Sequence, residues 1–189
     1  MCNTNRRAIL TGGSLLAAGA ALGADSANSV AENAQATPAK SLRKLLIGAW
    51  RLVACLEADV KTGEVYRPFG DTPEGLILYT PDGYMSAQLS TSGRRKFSSD
   101  DMYQGRPDEY MNAGLTYLAY SGPYYVDEDK RIIEHEMFVS LFPNWQGQRQ
   151  VRVVGLKNDE LKLSTDQPFM FNGSLKTATI SWRRAHPNL

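Results

Sequence analysis

The stretch Gly48-Ala49-Trp50-Arg51-Leu52 decides the fold, because it begins a run in which side chains of two kinds alternate. Alternation with a period of two is typical of a β-strand that is buried on one face. The pattern predicts a strand that continues to residue 57. One face would carry Trp50, Leu52, Ala54 and Leu56, and the other Arg51, Val53, Cys55 and Glu57.

Further alternating segments follow at short intervals and are separated by turn sequences. Residues 75–79 and 84–89 are predicted to form a hairpin, joined by Thr80-Pro81-Asp82-Gly83. Proline presets such a turn, and glycine takes its positive-φ position. The later strands, which we expect to be connected as an antiparallel meander, are predicted over residues 120–126, 131–141, 148–156, 160–165 and 176–183.

These segments, taken in order, resemble the lipocalin-like domain family of bacteria and fungi. The similarity is carried by residues 48–52 with Trp182-Arg183-Arg184, and by the runs 79–89, 117–122 and 140–145. The resemblance implies an all-β fold, an antiparallel barrel for which eight strands is the usual count.

The family pattern also implies how the barrel is closed. It places Trp50, which follows Gly48, inward at the closed end, where Arg183 or Arg184 would stack on it. The face that carries Leu52 would then line the interior.

A helical period interrupts the strands between residues 97 and 120. Pro107 is suited to the first turn of a helix, and Asp108 and Glu109 are favourable beside its N-terminus. We interpret this insertion as a lid over the mouth or flank of the barrel. An ordinary amphipathic helix that covers a sheet fits the pattern equally well.

The N-terminus resembles a twin-arginine export signal. Arg6 and Arg7 precede a weakly apolar stretch over residues 11–24, and Ala34 and Ala36 form a small-x-small cleavage site. The apolar stretch is too short for a permanent membrane span. We therefore expect the translocation machinery as a transient partner and a periplasmic or secreted location.

The predicted organisation is an export signal over residues 1–36, a linker and short turn over 37–45, the barrel over 46–184 and a tail over 185–189. Cleavage would leave Cys55 as the only cysteine, which excludes an intramolecular disulfide in the processed chain. A lone cysteine within a strand is most often a small buried apolar residue.

Composition argues against several classes of function. A net charge of +1, with 22% charged and 42% hydrophobic residues, lacks the basic excess that nucleic acid binding requires. The run Arg94-Arg95-Lys96 is interpreted as a solvated loop. The two histidines lack the spacing of metal ligands and do not predict a metal site. The barrel sequence contains no glycine-rich phosphate loop, so nothing predicts nucleotide binding. We expect no cofactor.

His135 is the main candidate for chemistry. It alternates with Ile133, Met137, Val139 and Leu141, and this mainly apolar face should point inward. A buried imidazole stays neutral and makes one directed hydrogen bond. The alternative is a core histidine that is bonded to a neighbouring tyrosine or carbonyl.

The remaining candidates are aromatic or polar residues of the predicted strands and rim. Tyr120, Gly122 and Tyr124 could face inward and bring a phenol towards His135. Arg152 could pair with a glutamate, Glu134 or Glu136, or hold a ligand carboxylate, although its position favours the surface. The candidate ligand-binding residues are Tyr79, Tyr84, Gln88, Tyr120, Tyr124, His135, Met137, Trp145 and Arg152.

Three functions are compatible with the sequence. The first is reversible binding of a small hydrophobic molecule by an exported protein. The second is a cofactor-free isomerase, cyclase or hydrolase that acts on an apolar carbonyl compound, with His135 as acid or base and a tyrosine such as Tyr124 as its partner. The third is a partner-binding module that uses the rim at residues 142–145.

Overall fold

The structure, a computed structural model, describes residues 41–188 and shows a closed antiparallel barrel. The barrel strands are β1 (Gly48–Asp59), β3 (Glu74–Tyr79), β4 (Tyr84–Ser90), β5 (Tyr117–Asp127), β6 (Ile132–Glu136), β8 (Arg149–Lys157), β9 (Glu160–Thr165) and β11 (Ser174–Arg184). Each of these strands pairs with the next in that order, and β11 pairs back with β1. The predicted eight-stranded barrel is confirmed.

Three short strands and three helices complete the described fold. The strand β2 (Val65–Tyr66) pairs with β1, β7 (Val139–Ser140) pairs with β5, and β10 (Phe169–Phe171) pairs with β11. The helices are α1 (Leu42–Leu46), α2 (Pro107–Leu115) and a 3₁₀ turn (Pro143–Trp145). Among residues 41–188, no helix is long and apolar enough to cross a bilayer.

A β-bulge in β1 changes which side chains face the interior. Leu52 lies opposite Trp182, but the next paired residue is Ala54, so Val53 is left unpaired and is 47% exposed. One extra residue reverses the alternation beyond it. Cys55 is therefore buried, and the expectation that Ala54 and Leu56 continue the inward face of β1 is wrong.

Trp50 and Arg184 close one end of the barrel. The Trp50 ring is fully buried, and its Nε1 donates to the Leu46 carbonyl over 2.8 Å. The Arg184 guanidinium lies 4.0 Å from the ring centroid and donates to the Leu45 and Ile47 carbonyls over 2.7 and 3.2 Å. Of the two arginines that the sequence offered for this role, Arg184 takes it.

At the same end of the barrel, Gly48 adopts a backbone conformation that favours glycine, and Arg183 lies outside the closure. Gly48 has φ of +121°, a conformation that side chains rarely adopt, and a Cβ there would lie 3.4 Å from Arg184. Arg183 points outward, mostly exposed, and its nearest carboxylate is Glu160 at 3.6 Å.

The strand predicted over residues 131–141 is interrupted after Glu136. The backbone N–H of Phe138 donates to the Ser121 carbonyl, and a Cβ on Gly122 would lie 1.7 Å from the Glu136 carbonyl oxygen. Glycine thus permits a close approach at which the chain leaves its ladder. Val139 is consequently exposed rather than inward, which corrects its predicted place beside His135.

The predicted helical insertion is confirmed, but its buried residue is a carboxylate. Glu109 accepts hydrogen bonds from the backbone N–H groups of Arg106 and Ser98 over 2.8 and 2.9 Å. These bonds are the largest influences that lower the pKa of Glu109 below its usual value. Leu115, at the C-terminal end of α2, is 75% exposed and borders the barrel mouth.

Candidate functional site

A cavity of about 430 Å³ lies in the half of the barrel away from Trp50. Its walls come from the second half of β1 and the first halves of β5 and β8, together with the segment around β10. The cavity is lined mainly by apolar and aromatic residues, among them Phe69, Leu89, Leu115, Leu118, Tyr120, Phe142, Trp145, Leu163, Phe169, Phe171, Ala178 and Ile180.

An aromatic cluster forms one side of this cavity. The Trp145 ring meets the Tyr120 and Phe142 rings edge to face, with centroids 5.9 and 5.8 Å apart. Pro143 begins the 3₁₀ turn that carries Trp145. Rings held in this way offer a large apolar contact surface at little cost in side-chain entropy.

Arg152 supplies a positive charge on the cavity wall. The side chains of Gln150 and Arg152 point inward from β8, and each residue is 7% exposed. The Arg152 guanidinium donates from Nη1 to the Val151 carbonyl over 2.8 Å and from Nη2 to Gln150 Oε1. The expectation that Arg152 lies at the surface is therefore wrong, because strand alternation turns Val151 and Val153 outward instead.

The glutamates proposed as partners of Arg152 lie on the outside of β6. Arg149 binds both of them, with its nitrogens 2.7 Å from Glu136 and 3.6 Å from Glu134. Within residues 41–188, no carboxylate oxygen lies within 4.0 Å of the Arg152 guanidinium. The suggested pairing with Glu134 or Glu136 is wrong.

The carboxylate that does line the cavity has a cation of its own. Glu57 lies 3.6 Å from the Lys176 ammonium, and the Lys176 side chain is only 3% exposed. The same ammonium lies 4.1 Å from the centroid of the Tyr66 ring. The charge of Glu57 is thus matched by Lys176.

His135 lies below the cavity, in the packed floor of the barrel. It is fully buried, and its Nε2 shares a 2.9 Å hydrogen bond with the Tyr79 hydroxyl. Burial, and secondarily the charge of Arg152, lowers the pKa of His135 to about 3. Burial also raises the pKa of Tyr79 well above its usual value. Both groups are therefore neutral near pH 7, as expected for a core histidine bonded to a neighbouring tyrosine.

The comparisons with known proteins fit this architecture. The model of the lipocalin-like domain family matches residues 47–185. The chain belongs to the lipocalin-like domain family. A relative from Aspergillus oryzae (strain ATCC 42149 / RIB 40), named 4'-hydroxy-3'-methoxypropiophenone carrier protein, is 35% identical over 106 residues, which cover 53% of this chain and 96% of the relative.

The floor of this lipocalin-like barrel contains the remaining inward candidates that do not line the cavity. Met137 is fully buried, and Tyr124 donates its hydroxyl to the Thr80 carbonyl over 2.9 Å. The Tyr79 and Tyr124 rings pack edge to face, 5.0 Å apart. The structure thus brings Tyr79, Tyr124, His135 and Met137 together as core, while Tyr120, Trp145 and Arg152 line the cavity.

Two candidates lie on β4 of the lipocalin-like barrel with their side chains on its outer face. Tyr84 is 51% exposed, and Gln88 donates to the Ser86 hydroxyl over 2.7 Å on the same outer face. The reason is that Met85, Ala87 and Leu89 take the inward positions of β4. Tyr84 and Gln88 are removed from the candidate site.

Sequence reasoning missed several polar residues of the cavity, namely Cys55, Glu57, Gln150 and Thr165. The bulge in β1 concealed the first two. Gln150 had a usable signal, because it lies two residues before Arg152 on the same strand face.

Burial, followed by the charge of Glu57, raises the pKa of Cys55 to about 12, so its thiol is not a ready nucleophile. The predicted signal residues Arg6, Arg7, Ala34 and Ala36 lie outside the described residues.

Proposed function

We propose that this lipocalin-like protein is a carrier that reversibly binds a small, largely apolar aromatic molecule. The observation that carries this proposal is the 430 Å³ cavity, which has an aromatic wall at Tyr120 and Trp145 and a buried polar group at Arg152. Sites for small molecules are typically hollows of about 300–1,000 Å³ with a few directed polar groups. The name of the Aspergillus relative, a carrier of an aromatic ketone, supports the same class of ligand.

The placement of His135 favours binding over catalysis. An acid or base must lie within hydrogen-bond reach of the bound substrate, directly or through one water. His135 does not line the cavity, and its Nε2 is bonded to Tyr79. Tyr124, the other catalytic candidate, donates its hydroxyl to a backbone carbonyl in the floor. The isomerase, cyclase or hydrolase hypothesis therefore gains no support from these two residues.

We also propose that the protein is exported and acts in the periplasm or outside the cell. The support for export is the pair Arg6-Arg7, the weakly apolar stretch after it and the Ala34-Gln35-Ala36 site. Replacing both arginines by lysine should retain the protein in the cytoplasm, as measured by cell fractionation and immunoblotting. Unchanged export of the double variant would contradict the twin-arginine route.

Binding is tested by isothermal titration calorimetry of the full-length protein with 4'-hydroxy-3'-methoxypropiophenone. One site per chain is expected. Ala178 lines the cavity, whereas Thr177 beside it is exposed on the outside. Ala178→Phe should fill the cavity and abolish binding, and the matched control Thr177→Phe should keep it. Equal binding to both variants, or a wild type that binds neither this ketone nor the phenylpropanoyl probes used below, would overturn the proposal.

A further inference from the structure

We propose that the cavity selects ligands that carry a carboxylate, which forms an ion pair with Arg152, and that its preferred ligands are therefore small aryl-alkanoic acids. The inference rests on the carrier function proposed above and names the chemical class of the ligand. Four features of the described residues support it: the charge of the cavity wall, the donors of Arg152, the response of a neighbouring phenol and the shape of the apolar wall.

Among residues 41–188, the charges on and beside the cavity wall sum to +1, because Arg152 (+1) and Glu57 (−1) line the cavity and Lys176 (+1) lies against Glu57. Arg152 is 7% exposed and has no carboxylate within 4.0 Å among residues 41–188. Glu57, which also lines the cavity, is matched by Lys176 at 3.6 Å. A buried charge is costly unless it is paired, so a bound anion would relieve a cost that the folded protein already bears.

The guanidinium retains donors for a ligand. Arginine has five N–H donors, and Arg152 uses one on the Val151 carbonyl and one on Gln150 Oε1. The bond to Gln150 holds the planar group in place, and Gln150 itself lines the same cavity. A fixed guanidinium matches the two oxygens of a carboxylate, with which it forms paired, charge-assisted hydrogen bonds.

The charge of Arg152 acts on a neighbouring phenol that lines the same cavity. Burial raises the pKa of Tyr120, and the charge of Arg152 opposes that rise. This opposition is expected where a cation next to the phenol favours the negatively charged form. The Tyr120 ring lines the same cavity, so a carboxylate bound there would experience the same attraction.

The apolar wall defines the rest of the ligand. The Tyr120, Phe142 and Trp145 rings line the cavity together with Arg152 and Gln150. A ligand with one ring and a short chain that ends in a carboxylate would place its ring against the aromatic cluster and its charge at the guanidinium. A ring without an anionic group would contact the aromatic cluster but leave the Arg152 guanidinium without a partner.

The test compares 3-phenylpropanoate with 3-phenylpropanamide, a neutral probe of nearly the same shape, by calorimetry near pH 7 with the full-length protein. The acid should bind at least ~10-fold more tightly than the amide. Arg152→Met should abolish this preference by weakening the acid, with the amide changed by less than ~3-fold. Arg149→Met is the matched control, because it removes an equal charge from outside the barrel and should leave the preference intact.

Every result separates the two proposals. Equal binding of acid and amide, or an equal loss in the Arg149 and Arg152 variants, would overturn carboxylate selection while leaving the carrier function standing. If neither probe binds and 4'-hydroxy-3'-methoxypropiophenone fails as well, the carrier function itself is refuted. If Arg152→Met does not fold, Arg152→Lys replaces it: the point charge should keep part of the preference, because lysine lacks the planar pair of donors.

Discussion

Replacing Arg184 by methionine should destabilise the barrel much more than replacing its neighbour Arg183. The Arg184 guanidinium donates to the Leu45 and Ile47 carbonyls over 2.7 and 3.2 Å and lies 4.0 Å from the centroid of the Trp50 ring. Methionine keeps an apolar stem of comparable bulk but provides none of these contacts. Arg183 has no such contacts, since its side chain is 65% exposed and its carboxylate partner Glu160 is 3.6 Å away.

The expected magnitudes follow from those contacts. A hydrogen bond that involves a charged group contributes about 1.5–3 kcal/mol, and a partly exposed cation–π contact about 1 kcal/mol. Arg184 is itself about one-third exposed, so water would replace part of what is lost. We therefore expect Arg184→Met to cost about 3 kcal/mol of the free energy of unfolding. Arg183→Met should cost less than about 1 kcal/mol, as exposed ion pairs do.

The assay is urea unfolding of the two full-length variants, followed by tryptophan fluorescence. Trp50 and Trp182 are both buried, so their emission should report the opening of the barrel. In thermal unfolding of the same two variants, the difference of about 2 kcal/mol would separate the melting temperatures by roughly 4–8 °C in a domain of this size. Two variants equal within about 0.5 kcal/mol would refute the assignment of barrel closure to Arg184.

Four further predictions concern other parts of the fold. Gly122→Ala should prevent folding or lower the free energy of unfolding by more than about 3 kcal/mol, because its Cβ would lie 1.7 Å from the Glu136 carbonyl oxygen. Gly114→Ala, where the Cβ meets open space on α2, should raise the free energy of unfolding by about 0.5–1 kcal/mol in the same urea assay. With its pKa raised to about 12, the thiol of Cys55 should react with Ellman's reagent near pH 8 at least ~100-fold more slowly in the native protein than in urea, and equal rates would contradict this. Hydrogen bonds lower the pKa of Glu109 in the folded state, so the stability that this carboxylate contributes is present above the usual glutamate pKa and is lost as the pH falls through the lowered value. Urea unfolding at a series of pH values from about 6 to 3 should therefore show a smaller loss of stability in Glu109→Gln than in the wild type. Parallel curves for the two proteins would refute the role of this carboxylate.

The barrel was predictable because its largest residues carry strong local patterns. The hairpin at Thr80-Pro81-Asp82-Gly83 formed where turn chemistry placed it, and Gly83 has the expected positive φ of +99°. Trp50 is fully buried, in agreement with the resemblance. These features depend on neighbours in sequence or on one repeated family pattern, and both are visible in a single chain.

The cavity was harder to predict because its composition depends on features with no local signal. The bulge at Val53 brings Cys55 and Glu57 inward, although strict alternation places them outside. Arg152 lies between two valines, so its inward direction depends on the phase of the whole strand. The surface is also the common place for an arginine, and only the cavity in this barrel makes its burial informative.

His135, the most conspicuous candidate in the sequence, was a poor guide to function because it lies in the floor of the barrel and not on the cavity wall. His135 is the one histidine within the strands of residues 41–188, yet it lies in the core with its partner Tyr79 and does not line the cavity. Arg152 differs because a guanidinium stays charged when buried, whereas an imidazole gives up its proton. The group that cannot neutralise itself is therefore the one that most needs an anion from outside, and it lies on the cavity wall.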